Sequence, residues 1–180
     1  EGFDLHGAGL VALDAGERRQ AIELLDAAER CRAAIHEPHL ARESASMPIA
    51  SALSLTTGAS VFHLLCVHYE DDVAVQLEDR YVNPQTVPEF LQQPFGDQLQ
   101  SARYLLQIIQ PDEMEHIVEA SHPSADELKH LQIDPGEPCL VLMRRTWNSG
   151  RVVTYVRLVH PSSRYRLGSR LPVTGAYRDS

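Results

Sequence analysis

The chain carries 180 residues with 25 acidic against 16 Lys and Arg, a formal net charge of −9, so its surface repels phosphate backbones and direct nucleic-acid binding is not expected. Its 43% hydrophobic and 23% charged residues exclude the disordered and collagen-like classes. One domain of this length removes roughly 70% of its unfolded surface from water, and residues 1–180 are read as a single domain.

No run approaches the roughly 18 consecutive apolar residues of a membrane span, and the start lacks a basic segment followed by an apolar one. Cys31, Cys66 and Cys139 are odd in number and widely spaced, which suits a reducing compartment, so a cytoplasmic location is expected and no membrane partner. The chain opens on Glu1 rather than methionine, which suggests a further domain upstream.

In chain order, Asp14 and Glu17 make a capping-box pair, after which Ala21, Ile22, Leu24, Leu25, Ala28, Cys31 and Ile35 recur at helical spacing. His36 to Pro38 should end that helix, because proline removes a backbone donor and restricts the residue before it. A strand is expected near 39–45, then a short helix.

An internal repeat follows. Leu53 and Leu55 precede the turn Thr56-Thr57-Gly58, an apolar run from Val61 to Val67, the break Glu70-Asp71-Asp72 and a second run from Val73 to Val82. Moved 78 positions along, the pattern returns as Leu131 and Ile133, Asp134-Pro135-Gly136, Leu140 to Met143, Asn148-Ser149-Gly150 and Val152 to Val159. Gly58 falls on Gly136, Leu64 on Leu142, Val75 on Val153 and Tyr69 on Trp147. Two similar helix-turn-hairpin units are expected.

Between them, 84–93 and 101–108 read as short helices joined by the turn Pro94-Phe95-Gly96-Asp97, and 114–121 as a strand. Ser124 with Glu127 makes a second capping box. The class is α+β, a mainly antiparallel sheet fed by hairpins and covered by helices.

The sequence has no H-E-x-x-H, P-loop, G-x-G-x-x-G or G-x-S-x-G. His36 and His39 beside Glu37 are spaced H-x-x-H but straddle Pro38 and read as solvated loop histidines, so neither metal nor cofactor is expected. The hairpins instead embed polar residues: Cys66, His68, Gln76, Glu78 and Arg80 in the first, Arg144, Thr154, Tyr155 and His160 in the second. Strand side chains alternate between faces, so some must point inward. Polar groups collected from two similar units suit a ligand cleft at their junction.

The stretch from Gln76 to Pro84 resembles the strand and its exit in the UTRA domain of GntR-type regulators, specifically the HutC branch concerned with histidine utilisation. Thr57 to His63, Glu115 to Ala120, Glu137 to Leu140, Arg144 to Trp147 and His160 to Tyr165 resemble it too, so similarity covers about residues 20–167. The resemblance implies a chorismate-lyase-like fold and, in the full protein, a preceding winged helix-turn-helix domain that supplies the DNA contact. It implies ligand contacts at Cys66 and His68, where sugar-phosphate sensors carry arginines, and at Tyr104, with Ala102 at a position usually held by serine. An acid and an aromatic of the last hairpin fall on Thr154 and His160.

The branch is generally relieved by urocanate, an imidazole bearing an unsaturated carboxylate. The expectation is that Arg80 or Arg144 forks onto the carboxylate, Glu78 accepts from an imidazole N–H, His68 donates or accepts, and Tyr104 packs on the ring. Binding would bias the arrangement of a homodimer and relieve repression. The rivals are a small chorismate-lyase-like enzyme, against which stands the lack of a nucleophile and base pair, and a dimerisation module with an empty cleft.

Overall fold

The computed structural model describes residues 34–96 and 99–167. Their core is a single six-stranded antiparallel sheet in the order β1-β2-β3-β6-β5-β4, built from β1 (Ala34–Ser44), β2 (Ser60–Glu70), β3 (Val73–Val82), β4 (Glu113–Ser121), β5 (Cys139–Asn148) and β6 (Arg151–Pro161). Three α-helices accompany it: α1 (Met47–Ala52), α2 (Ser101–Ile108) and α3 (Ala125–Leu131).

The repeat read from the sequence is built into the backbone and extends further than the hairpins. A shift of 78 carries each element of β1-α1-β2-β3 onto its counterpart in β4-α3-β5-β6. Both hairpins turn through two left-handed residues, Asp71 and Asp72 in one and Ser149 and Gly150 in the other, the backbone that matches strand twist in a two-residue connection. Bulges follow at equivalent places, after His68 and after Thr146. The halves meet where β3 pairs with β6, and Asp79 opposite Arg157 marks the pseudo-twofold centre.

One sheet face is covered by α1 and α3. Leu53 packs with Ala45, Ala50, Val61 and Val152, and its counterpart Leu131 with Val67, Ala74, Leu77, Cys139, Val141 and Val159. The capping box of α3 forms as expected, with Ser124 accepting from the Glu127 amide, and Arg157 pairs with Glu127. At the other end of α3, Arg164 Nη1 donates to the Leu131 carbonyl at 2.8 Å and Nη2 to that of Gln132 at 3.2 Å, a cation at the helix C-terminus.

The opposite face is roofed by the segment between the halves, which has no counterpart in the repeat. Val87, Phe90, Phe95 and Leu105 close over Phe62, Leu64, Cys66, Val82 and Val153.

Three sequence expectations change. The helix expected from Asp14 lies outside the described residues except at its end, where Ile35 belongs to β1. Pro38 and the adjoining H-x-x-H sit in that edge strand, where the register shifts between His36 and His39 and the missing proline donor is tolerated at a bulge. Residues 84–93 form turns and one 3-10 turn, Phe90–Gln92, rather than a helix. Asn83 starts them by accepting from the Gln85 amide through its side chain at 3.0 Å, the local bond by which asparagine diverts a chain into turns.

Candidate functional site

The face beneath the roof gathers Cys66, His68, Glu78, Arg80, Arg144, Thr154 and His160, whereas Tyr155 packs on the opposite face. Registers place them in rows across the sheet: Cys66 opposite Glu78, then Leu64, Arg80, Val156, Arg144 and His116, then Val82, Thr154, Thr146 and Met114. Arg80 and Arg144 therefore flank Val156 from either side, two strand spacings or about 10 Å apart at the backbone. Both face inward, at 2% and 6% exposure.

Glu78 is the hub of the first half. Its Oε1 accepts from Arg80 Nε at 2.5 Å and from the Ser101 hydroxyl of α2, while Oε2 accepts from His68 Nε2 at 2.8 Å. Burial works against this carboxylate, but the Arg80 guanidinium and the bonds from His68 and Ser101 outweigh it and hold its carboxyl well below the usual range. Cys66 lies beside the pair, its Sγ 3.6 Å from His68 Nε2, and burial pushes its thiol up, which removes it as a nucleophile. Arg80 Nη1 reaches Thr154 Oγ1 at 3.5 Å, and that hydroxyl donates to the Tyr81 carbonyl at 3.0 Å.

Arg80, Arg144 and Thr154 line one small cavity together with Thr146, Val153 and Ala102. It lies between the sheet and α2 and has room for about one water molecule. His160 is on the same face but stacks on Tyr165 at 3.7 Å between ring centroids. Burial lowers its pKa to about 4, outweighing a backbone hydrogen bond at Val75 that raises it.

Tyr104 is not brought to this cluster. It packs against Phe95 and Phe90, with centroids 5.7 and 6.3 Å away, while Ala102 and Leu105 of the same helix face the cavity. Ser101 takes the role that reading by sequence missed, one residue before the alanine noted there. Thr146 was also missed, although the repeat makes it the counterpart of His68, as Arg144 is of Cys66.

Residues 39–166 match the family model described as the UTRA domain. The chain belongs to the UTRA family. It is 40% identical over 171 residues to the histidine utilization repressor of Pseudomonas putida, an alignment spanning 92% of this chain and 68% of that protein. Against the histidine utilization repressor of Pseudomonas aeruginosa it is 49% identical over 131 residues, 73% of this chain and 52% of that protein. The chain thus spans from about half to about two thirds of the length of these relatives. The crystal structure of the C-terminal domain of histidine utilization repressor from Pseudomonas syringae pv. tomato matches with a TM-score of 0.74 and 46% identity, covering 78% of this chain and 99% of that one. The antiparallel, chorismate-lyase-like fold expected from the resemblance is the UTRA fold found.

Proposed function

We propose that this UTRA domain is the effector-sensing half of a transcriptional repressor of histidine utilisation, acting by binding and not by catalysis. Its ligand is a small carboxylate, urocanate or a related imidazole carboxylate. The carrying observation is the pair of buried arginines, Arg80 and Arg144, lining one cavity from opposite halves of the repeat.

In this reading the carboxylate bridges the two guanidinium groups, because each planar fork can donate parallel hydrogen bonds to it. Thr154 and Thr146 add hydroxyls, and His160 lies buried on the same face. Glu78 is already engaged by Arg80, His68 and Ser101, so it orients Arg80 more than it meets the ligand.

The present cavity is too small for urocanate, so binding requires α2 to move off the sheet. A ligand that favours the moved arrangement shifts its population, and in a homodimer that shift alters the spacing of two upstream DNA-reading domains. A coupling of about 1–3 kcal/mol is typical of such linkage. A regulator of this kind would work in the cytoplasm.

The test is calorimetric titration with urocanate. Binding is expected, and Arg144→Met should weaken it roughly 10- to 100-fold, the worth of a charged hydrogen bond of about 1.5–3 kcal/mol. No heat at millimolar urocanate would rule this effector out.

A further inference from the structure

On the other face of the sheet, at the β1–β2 edge, a second cluster lies apart from the proposed effector site. His39 and Glu43 project from β1 on either side of Ala41, and His63 stands opposite Ala41 on β2. Alanine leaves space over which the three longer side chains converge. Glu43 Oε1 lies 3.3 Å from His39 Nε2 and 3.0 Å from His63 Nδ1. The three potential ligand atoms are all within 4.8 Å of one another.

Around a tetrahedral Zn²⁺ with bonds of about 2.0–2.1 Å, neighbouring ligand atoms stand roughly 3.3 Å apart. Two of the three edges, at 3.3 and 3.0 Å, are already close to that length. Two imidazole nitrogens and one carboxylate oxygen are also the donor set that suits Zn²⁺ and its transition-metal neighbours over Mg²⁺ or Ca²⁺.

An independent feature concerns the far side of the His63 ring. Its Nε2 is 2.8 Å from Asp79 Oδ1, and the ring lies flat on Tyr81 with centroids 4.3 Å apart and planes 4° apart. Donation from Nε2 to a carboxylate leaves the Nδ1 lone pair directed at the cluster, the outer-shell arrangement that orients metal-binding histidines. His39 and Glu43 are partly exposed, so solvent can supply the fourth ligand.

We propose that His39, Glu43 and His63 form a binding site for a divalent transition metal, with Zn²⁺ the best match, held in place by Asp79 and clamping the edge strand β1 to β2. The site owes nothing to the effector and would function with or without it.

The test uses the whole chain stripped with chelator and titrated with ZnCl₂, followed by calorimetry and by melting temperature. One ion per chain and a higher melting temperature are expected, and Co²⁺ in place of Zn²⁺ should give visible ligand-field absorption. His39→Ala and Glu43→Gln, both at partly exposed positions, should melt like the parent in chelator yet bind Zn²⁺ about tenfold or more weakly. Cys66→Ser should bind like the parent. Absence of binding at millimolar ZnCl₂, undiminished affinity in His39→Ala, or loss of binding in Cys66→Ser, which would place the ion in the buried Cys66–His68–Glu78 cluster, would each overturn the proposal.

Discussion

Glu78 and Arg80 are both almost wholly removed from water, where an ion pair contributes little net stability but costs about 3–5 kcal/mol when one partner is removed. Their pairing is better understood as positioning. Glu78 ties down Arg80 Nε, which leaves the outer guanidinium nitrogens directed toward Thr154 and the cavity. His160 gives a pH dependence whose sign follows from its surroundings: burial and the neighbouring His68 disfavour its cation and hold its pKa at about 4, against an ordinary 6.5. Protonation therefore favours the unfolded chain. The His160 contribution is complete above about pH 6.5 and lost as the pH falls toward 4, by up to about 3 kcal/mol. Urea denaturation across that interval should show His160→Phe losing less stability than the parent, and an unchanged slope would contradict the assignment. Parity along a strand was legible for these residues, since Cys66, His68, Glu78 and Arg80 share it within their strands. Which parity faces the roof was not, because a slip of one residue at Asp71-Asp72 would turn the whole set outward.

Among the elements, α2 covers the proposed site. Its eight residues, Ser101–Ile108, were legible as a helix, but its rotation was not. Reading by resemblance aimed Tyr104 at the ligand, whereas packing aims Tyr104 at Phe90 and Phe95 and turns Ser101, Ala102 and Leu105 to the sheet. Rotation depends on which aromatic pocket the preceding turns build, and that segment is set by Asn83 and the prolines Pro84, Pro88 and Pro94, not by a periodic pattern. Ala102 is buried over the cavity, so Ala102→Leu should fill it. Urocanate affinity should fall about tenfold or more, and because the space holds only about one water molecule the added side chain should also cost stability, about 1–3 kcal/mol. A titration of this variant with unaltered affinity would place the ligand elsewhere. Pro38 taught the converse lesson: the same residue that ends a helix also fits an edge-strand bulge, and only the partner strand decides between them.

At the scale of the molecule, the repeat was the most legible property of the sequence, down to its paired turns, because hydrophobic alternation and hairpin chemistry are local. The equivalence of β1 and β4 escaped notice because β1 runs straight on from a segment patterned like a helix and carries Pro38. Symmetry makes a quantitative expectation. Leu53 and Leu131 occupy equivalent, fully buried positions at the C-terminal ends of α1 and α3, so Leu53→Ala and Leu131→Ala should each cost about 2–5 kcal/mol. Lying in separate clusters, they should add to within about 0.5 kcal/mol in the double variant, as measured by chemical denaturation. A strongly non-additive double variant would show that the two clusters are not independently packed. The roof, by contrast, occurs once. Because the repeated sheet supplies the frame and a single connector of about thirty residues between β3 and β4 supplies the cover, changes confined to that connector should reshape the proposed site while leaving the strands that hold the arginines untouched.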